Sequence, residues 1–328
     1  MNAPATVRVG ILGCGNVGAA LVRALAEDGD LIARRAGVRL EVTRVAVRDT
    51  ARTRPVELAP GVLIDDAAAL VADPEVDVVV EVIGGVEPTR GLVLTALAAG
   101  KPVITANKEL LARHGAELFA AAAEAGVDLL FEAAVAGGIP LMRPLRESLA
   151  GERITRVMGI VNGTTNYVLT RMTEEGSDFA AAVAEAQALG YAEQDPTADV
   201  EGFDAAAKAA IIASIAFGAR VTADDVHREG ITGITAADIA AAADLGYVVK
   251  LLAVAEARDD AVGVRVHPAM VPLDHPLASV RGSFNAVFIE GRTVGQLMFL
   301  GRGAGGGPTA SAVLGDLNRK STRLNSSH

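Results

Sequence analysis

Short apolar runs alternate with helical patterns along the first 140 residues of the chain. A glycine-rich turn follows the first run and leads into an Ala- and Leu-rich helical pattern that continues to about residue 35. The apolar runs lie at residues 7–12, 40–47, 61–64, 76–83, 102–105 and 127–131, and further helical patterns occupy 87–99 and 109–125. Strands that alternate with helices in this way predict an α/β fold with a doubly wound parallel sheet.

The pattern changes after residue 140, where a second, α+β domain with a mixed sheet is expected. It predicts strands at 154–161, 248–257, 261–271 and 284–289, and helices at 166–174, 179–189 and 202–217. The predicted division is a first domain at 1–140, a second domain at 141–300, a segment at 301–320 that returns to the first domain, and an unstructured or foreign tail at 321–328.

The composition narrows the class of protein. With 51% hydrophobic residues, the chain is expected to be ordered and globular. A net charge of -10 gives no general attraction to nucleic acid or to acidic membranes. No apolar run approaches the roughly 20 residues that span a bilayer, and the first residues lack the features of a signal peptide. We expect a cytoplasmic protein without a nucleic-acid or membrane partner.

A glycine turn joins the first predicted strand to the first predicted helix. Its sequence is Gly13-Cys14-Gly15-Asn16-Val17-Gly18. In a dinucleotide-binding unit the first glycine allows the tight turn, the second lets the backbone approach the pyrophosphate, and the third lets the helix pack on the strand. The helix N-terminus offers N–H groups and a partial positive charge. We predict a Rossmann domain that binds a nicotinamide dinucleotide through residues 13 and 15–18; the alternative is a turn without a ligand.

The end of the second predicted strand bears on the choice of dinucleotide. Arg48 comes first there, and Asp49 follows. An acidic residue at this point binds the ribose 2′-hydroxyl of NAD, whereas an arginine accommodates the 2′-phosphate of NADP. We predict NADP(H) as the preferred cofactor, with NAD(H) as the alternative. A second alternative is that Arg48 is a solvated loop residue.

Cys14 is the one cysteine of the chain. A disulfide within the chain and a thiolate metal cluster are therefore excluded. The thiol lies in the glycine turn without an adjacent histidine, so we interpret it as a small packing residue rather than a nucleophile. Aldehyde oxidation through a thiohemiacetal, which needs a nucleophilic cysteine, is excluded on this interpretation.

Lysine is rare in this chain and occurs only at positions 101, 108, 208, 250 and 320. Lys108 follows the strand at 102–105, at the edge where open α/β sheets bind ligands, and we interpret it as a group that binds a substrate oxygen. Asp204 and Lys208 are four residues apart and share a helix face. The pattern leaves two interpretations of Lys208 open, a structural ion pair and a proton-transfer group.

The polar segment around Lys208 belongs to a longer motif. Gly190-Tyr191-Ala192, followed by Asp195-Pro196-x-x-Asp199-Val200-x-Gly202-x-Asp204-x-x-x-Lys208, reproduces the signature of homoserine dehydrogenases. The Ala-Asn-Lys sequence that ends at residue 108, residues 162–167 and residues 303–310 match as well, and the similarity runs in order over residues 7–319. The chain resembles the homoserine dehydrogenase family. The sequence stops before the C-terminal ACT domain of many members, which we interpret either as a short form without that domain or as a truncated sequence.

The resemblance implies reversible NAD(P)H-dependent reduction of L-aspartate 4-semialdehyde to L-homoserine, in the biosynthesis of threonine, methionine and isoleucine. It implies that Lys208 donates a proton to the aldehyde oxygen and that Lys108 is a second catalytic lysine. By the same resemblance, the substrate pocket is formed by Glu193, Asp204, Asp199, Gly190 and Thr164.

The resemblance extends to a cation, to the cofactor and to assembly. It implies that Gly303, Gly305 and Lys108 lie against the cofactor. We also expect a homodimer, with the mixed sheet of the second domain as the interface. The alternatives are an inactive NADP(H)-binding or sensing protein on the same fold and a structural dimerisation module. A sodium ion, for which a plain glycine-rich linker is the alternative, is expected at Glu132, Val135, Gly137 and Ile139.

Overall fold

The computed structural model describes residues 5–259 and 261–325, and the chain in it divides into two units. Unit 1 comprises the residues up to Gly138 and those from Gly305 onward. Unit 2 comprises Ile139–Ala304. Residues 301–304, which the sequence analysis assigned to the returning segment, are therefore part of unit 2.

Unit 1 contains a six-stranded sheet in which every described pair of neighbouring strands is parallel. The order across the sheet is β3-β2-β1-β4-β5-β6, so the strand order reverses between β1 and β4. This arrangement confirms the predicted doubly wound α/β fold. The strands are β1 (Ala5–Leu12), β2 (Val38–Ala46), β3 (Leu63–Ile64), β4 (Val78–Glu81), β5 (Val103–Thr105) and β6 (Leu129–Leu130).

Four helices connect these strands: α1 (Asn16–Ala36), α2 (Ala67–Ala72), α3 (Thr89–Ala98) and α4 (Lys108–Glu124). Helices α2 and α4 are each capped by the residue before them, because Asp66 and Asn107 accept hydrogen bonds from backbone N–H groups in the first turn. Helix α2 was not predicted. Six residues are too few for a clear helical period, and tertiary contacts support a helix of this length.

Unit 2 contains a second six-stranded sheet, in the order β12-β11-β7-β9-β10-β8. All its pairs are antiparallel except β10 with β8, so the sheet is mixed, as predicted. The short strand β8 and the strand β12 were not predicted. The strands are β7 (Ile154–Ile160), β8 (His227–Arg228), β9 (Tyr247–Arg258), β10 (Ala261–Pro272), β11 (Phe284–Gly291) and β12 (Gly295–Arg302).

The helices of unit 2 are α5 (Gly163–Glu175), α6 (Phe179–Ala188), α7 (Thr197–Val200), α8 (Phe203–Phe217) and α9 (Ala236–Asp244). Helices α5, α8 and α9 contact the central strand β9. Helix α8 is buried over most of its length, which agrees with its Ala- and Ile-rich sequence. Helix α9, rich in alanine and capped by Thr235, was not predicted.

Helix α10 (Gly306–Asn325) belongs to unit 1 and packs on α1. Its side chains Ala310, Val313 and Leu317 join the hydrophobic core of that unit. The helix continues through residues 321–325, where the sequence analysis expected an unstructured tail, because each residue added to a formed helix gains a hydrogen bond without a new nucleation cost. Residues 326–328 lie outside the described residues. None of the described helices is long and apolar enough to cross a membrane.

A buried lysine ties a loop of unit 2 to its core. Lys250 on β9 is 2% exposed, and its Nζ donates hydrogen bonds to Asn166 Oδ1 at 3.0 Å and to the Val280 carbonyl at 2.5 Å. Asn166 in turn donates from Nδ2 toward the carbonyls of residues 280, 282 and 284. Burial lowers the pKa of Lys250 to about 8.

We expect the free energy of unfolding to rise between pH 8 and about pH 10.5 because of Lys250. The unfolded chain, with the ordinary lysine pKa of 10.5, binds more protons than the folded chain in this interval. The contribution amounts to about 3 kcal/mol at most. Chemical denaturation across this pH range, compared with Lys250→Met, measures it. A difference between wild type and variant that does not change with pH would contradict the assignment.

Candidate active site

The glycine turn of unit 1 is shaped by close contacts between backbone segments. Gly13 has a φ of 101°, and a Cβ there would lie 2.9 Å from the Val82 carbonyl. A Cβ on Gly18 would lie 2.2 Å from the Gly13 carbonyl, so α1 approaches β1 more closely than a side chain permits. Gly15 has no neighbour within 4 Å of its hypothetical Cβ. Packing therefore requires glycine at two positions, and the third leaves open space before the N-terminus of α1.

A cavity of about 920 Å³ lies against this turn. The turn residues 13–16, the end of β2 and the loop at 82–85 form part of its wall. It lies at the carboxyl ends of β1, β2 and β4, where the strand order reverses and where doubly wound sheets bind dinucleotides. Asn16 is the first residue of α1, Val17 the second, and the capping residue Gly15 makes no side-chain capping hydrogen bond. The chemistry of this cavity fits a pyrophosphate.

Three arginines line the same cavity, at positions 48, 52 and 54. Arg48 is exposed at the end of β2. Arg54 is held by the carbonyls of Asp49 and Arg52. The Asp49 carboxylate accepts a hydrogen bond from the Ala51 N–H and so closes its own turn. Asp49, Asp65 and Glu87 line the same cavity, so the positive charge that suits a phosphate group is local to the arginines that follow β2.

Cys14 also lines the cavity and is partly buried. Burial raises the pKa of its thiol, although the positive charge of Arg54 acts in the opposite direction. A raised pKa reduces the thiolate fraction near neutral pH and with it the reactivity of the sulfur. This supports the interpretation of Cys14 as a packing residue.

Lys108 is the first residue of α4 and is partly buried. The helix cap before it, Asn107, is fixed on two sides. Its Oδ1 accepts a hydrogen bond from the Leu110 N–H at 3.0 Å, and its Nδ2 donates to the Gly85 carbonyl at 2.6 Å. Because Gly85 lines the cavity, the start of α4 is tied to the cavity wall.

The described part of unit 2 places three of the predicted site residues together. Lys208 is 9% exposed, and its Nζ donates to Asp204 Oδ2 at 2.7 Å and to the Val161 carbonyl at 2.8 Å. Asn162 Nδ2 donates to Asp204 Oδ2 at 2.9 Å and to Asp199 Oδ1 at 2.7 Å. Gly202, with a φ of 78°, precedes α8 and allows the sharp entry into the helix.

Asn162 was missed as a site residue. It follows β7 and caps α5, since its Oδ1 accepts a hydrogen bond from the Thr165 N–H at 2.8 Å. The oxygen of its side-chain amide therefore caps the helix, and the nitrogen donates hydrogen bonds to two carboxylates. An asparagine between a buried strand and a helix is a capping signal. That signal predicts the cap but not the two carboxylates, which lie 37 and 42 residues away in sequence.

The other predicted pocket residues lie on two neighbouring segments. Thr164 Oγ1 donates to the Tyr191 carbonyl at 2.6 Å, which joins the start of α5 to the segment after α6. Gly190, with a φ of 75°, turns the chain there. The Glu193 side chain is exposed, and its backbone carbonyl accepts a hydrogen bond from Gln187.

The predicted sodium loop spans the end of unit 1 and the start of unit 2. A short 3-10 helix at Glu132–Ala134 precedes Ala136 and Gly137, which both have positive φ angles. The Glu132 N–H donates to Asp316 Oδ2 at 2.8 Å. The described residues contain no cluster of three or more His, Cys, Asp or Glu side chains that could hold a metal. A cation in this loop would therefore depend mainly on backbone carbonyls.

Packing requires glycine at position 303. A Cβ on Gly303 would lie 1.9 Å from Asn285 Nδ2, so no side chain fits between this residue and β11. Gly305 has a φ of 114°, which favours glycine at the start of the segment that leads to α10.

Comparison with known proteins identifies the family. A family model described as homoserine dehydrogenase matches residues 140–317, and one described as the NAD-binding domain of homoserine dehydrogenase matches residues 13–132. A homoserine dehydrogenase of Corynebacterium glutamicum is 57% identical over 95% of this chain and 71% of its own length. That of Bacillus subtilis is 47% identical over 95% of this chain and 72% of its own.

The chain belongs to the homoserine dehydrogenase family. A crystal structure of a homoserine dehydrogenase from Thiobacillus denitrificans matches with a TM-score of 0.94 and 46% identity, over 98% of this chain and 74% of that one. A hyperthermophilic archaeal homoserine dehydrogenase in complex with NADPH matches with a TM-score of 0.83 and 29% identity, over 97% of this chain and 98% of that one. Homoserine dehydrogenases are NAD(P)-dependent oxidoreductases that act on a CH–OH group in amino-acid biosynthesis, and this chain shares that activity.

We expect Asn162→Ala to lower both stability and homoserine dehydrogenase activity. Loss of the α5 cap costs about 1 kcal/mol, and loss of two hydrogen bonds to carboxylates lowers kcat/KM by at least about tenfold. Asp178→Ala is the matched control, because Asp178 caps α6 in the same way. Thermal unfolding and steady-state kinetics of both variants provide the measurement. Equal activity of the two variants would show that Asn162 is only a helix cap.

Proposed function

We propose that this chain catalyses the reversible reduction of L-aspartate 4-semialdehyde to L-homoserine and that Lys208 carries the proton. The observation that supports this role most directly is the position of the Lys208 ammonium, buried between the Asp204 carboxylate and the Val161 carbonyl. A bound nicotinamide cofactor would supply the hydride to the aldehyde carbon or take it from the alcohol carbon.

The reaction needs a proton donor in one direction and a proton acceptor in the other, and we assign both roles to Lys208. In the reducing direction the aldehyde oxygen gains negative charge, and the ammonium of Lys208 gives it a proton. In the oxidising direction the neutral amine takes the hydroxyl proton of homoserine. Asp204 and the Val161 carbonyl orient Nζ and leave its third donor position for the substrate oxygen.

Carboxylates dominate the proposed substrate pocket of unit 2. Asp199 and Asp204 are joined by Asn162, and Glu193 lies on the segment after Gly190. Their negative charge suits the ammonium group that both substrate and product carry. The Thr164 hydroxyl and the backbone at Gly190 would complete the pocket. Glu193 reaches the substrate from the solvent side, in keeping with its exposure.

Lys108 is proposed as the second catalytic lysine. Its ammonium would orient and polarise the substrate oxygen, which favours the alkoxide that develops during transfer. The support is its place at the first turn of α4, whose cap is hydrogen-bonded to the cavity wall at Gly85.

NADP(H) is proposed as the preferred cofactor, held by Gly13, Gly15, Asn16, Val17 and Gly18. Arg48 would bind the 2′-phosphate, with NAD(H) as a weaker substitute. The arginines at 52 and 54 on the same wall add to the positive charge. The NADPH complex of the archaeal relative is consistent with this preference. Gly303 and Gly305 are proposed to approach the cofactor through their backbone.

A sodium ion and a homodimer complete the proposal. The ion would bind backbone carbonyls of Val135, Gly137 and Ile139 together with Glu132. The dimer would form through unit 2. Its support is a set of large apolar side chains that are exposed in that unit: Leu245, Met270, Leu273 and Leu300.

Lys208→Ala should lower kcat for homoserine oxidation by at least about a hundredfold, because the reaction loses its proton carrier. Binding of NADPH, measured by fluorescence titration, should remain as in wild type, because the described partners of the Lys208 ammonium, Asp204 and the Val161 carbonyl, do not line the proposed cofactor cavity. Lys101→Ala is the control, since Lys101 is also a buried lysine but its Nζ is bonded to the Asp73 carbonyl. Retention of kcat in Lys208→Ala would remove Lys208 from the proton-transfer role.

Arg48→Ala should raise the KM for NADPH by about tenfold or more, because a charged hydrogen bond to the 2′-phosphate is lost. The KM for NADH, which has no 2′-phosphate, should stay nearly constant. Arg39→Ala serves as the control, because Arg39 is paired with Asp30 near the opposite end of β2. If the KM values for NADPH and NADH rise by the same factor, Arg48 does not bind the 2′-phosphate.

A further inference from the structure

A buried carboxylate lies beneath the cavity of unit 1. Glu81 is the last residue of β4 and is 0% exposed. Its Oε1 accepts hydrogen bonds from the backbone N–H groups of Ile83 and Gly84 at 2.8 and 3.1 Å. Its Oε2 accepts one from the Thr105 hydroxyl at 2.5 Å. Glu81 therefore joins the loop after β4 to the end of β5.

The hydrogen bonds of Glu81 match the ionised form of the carboxyl group. Its oxygens accept hydrogen bonds from Ile83, Gly84 and Thr105, as the oxygens of a carboxylate do. Thr105 Oγ1 donates its proton to Glu81 Oε2 and itself accepts a hydrogen bond from the Asn107 N–H at 3.0 Å. Burial raises the pKa of Glu81, and hydrogen bonds from Thr105, from the backbone N–H groups of Gly84 and Ile83, and from Asn107 oppose that change. The donors are neutral, so they orient the carboxyl group without bringing a positive charge to it.

The position of Glu81 in the sheet relates it to the nicotinamide half of the cofactor. A doubly wound dinucleotide-binding sheet consists of two mononucleotide-binding halves that meet where the strand order reverses. The half with β1 and β2 carries Arg48 and takes the phosphorylated ribose. The other half, with β4 and β5, takes the nicotinamide nucleotide. Glu81 stands at the end of β4, and the residues that it bonds, Ile83 and Gly84, line the cavity.

The same network reaches Lys108. Thr105 connects Glu81 to the Asn107 N–H, and Asn107 is the cap of the helix that begins with Lys108. The Asn107 side chain returns to the loop at Gly85. One carboxylate thus fixes the cavity loop and the helix start that carries the second proposed catalytic lysine.

We propose that Glu81 is a positioning residue for the reaction assigned above. It holds the loop 83–85 and the start of α4 in place, and its negative charge favours the oxidised nicotinamide, which is cationic, over the reduced nicotinamide, which is neutral. The proposal depends on the proposed function for its effect on turnover. Its effect on cofactor binding does not depend on the substrate.

Glu81→Gln removes the negative charge of the side chain and keeps its shape. A glutamine keeps one oxygen for the two backbone N–H groups, and the Thr105 hydroxyl can accept from its amide nitrogen. We expect NADPH to bind as in wild type and the dissociation constant for NADP+ to rise by about threefold or more. The kcat for homoserine oxidation should fall by about tenfold or more. Fluorescence titration with each cofactor and steady-state kinetics provide the values.

Glu152→Gln is the matched control. The Glu152 carboxylate also accepts hydrogen bonds from two backbone N–H groups, those of Thr293 and Val294 in the turn between β11 and β12. This variant should retain both cofactor affinities and kcat. An unchanged ratio of NADP+ to NADPH affinity in Glu81→Gln, or a kcat equal to that of Glu152→Gln, would overturn the electrostatic role.

Thr105 gives a second test that does not alter the carboxylate. Thr105→Ser keeps the hydroxyl that links Glu81 to Asn107, whereas Thr105→Val keeps the volume and removes the link. We expect the serine variant to retain kcat within about twofold and the valine variant to lose about tenfold. Equal kcat values in the two variants would contradict the link to Lys108, even if Glu81→Gln fails to fold.

The result that refutes the proposed function differs from the results that refute the role of Glu81. A wild-type protein that oxidises homoserine with neither cofactor would refute the assigned reaction. The ratio of NADP+ to NADPH affinity in Glu81→Gln would still decide whether the buried charge acts on the cofactor.

Discussion

The side-chain amide of Asn162 is the interaction on which the proposed substrate pocket depends. Its oxygen caps α5, and its nitrogen bonds the carboxylates of Asp199 and Asp204. Asp204 then holds Lys208 one helical turn further along α8. Buried charges are stable only when they are paired and hydrogen-bonded. The amide thus lets two carboxylates and an ammonium group share one partly buried cluster while it fixes the helix that carries Thr164.

The two units build their sites by different means. In unit 1 the cavity is shaped by the absence of side chains, since Gly13 and Gly18 allow β1, β4 and α1 to approach within distances that a Cβ forbids. Backbone N–H groups suit a phosphate, which every dinucleotide carries. In unit 2 the cluster is made of charged side chains, which can distinguish one small substrate from another. On the function that we propose, binding of a common cofactor and selection of a substrate fall to different parts of the chain.

The spacing of residues along the sequence predicted several residues of the candidate site but few of the hydrogen bonds that connect them. The four-residue spacing of Asp204 and Lys208 placed both on one helix face, and the glycine turn was recognised between a strand and a helix. Asn162 and Glu81 escaped notice because their partners are distant in sequence: Asp204 lies 42 residues from Asn162, and Thr105 lies 24 residues from Glu81. The parallel sheet followed from alternating strands and helices, whereas α2 and β8, with six and two residues, were too short to show a period.

This chain interconverts L-aspartate 4-semialdehyde and L-homoserine, and we propose that it prefers NADP(H). The most direct measurement follows the absorbance of NADPH and of NADH, in separate reactions, after L-aspartate 4-semialdehyde is added to the purified protein. We expect oxidation of both cofactors with a higher kcat/KM for NADPH, and formation of one L-homoserine for each cofactor molecule oxidised. Oxidation of neither cofactor would contradict the assigned reaction, and a higher kcat/KM for NADH would contradict the role given to Arg48.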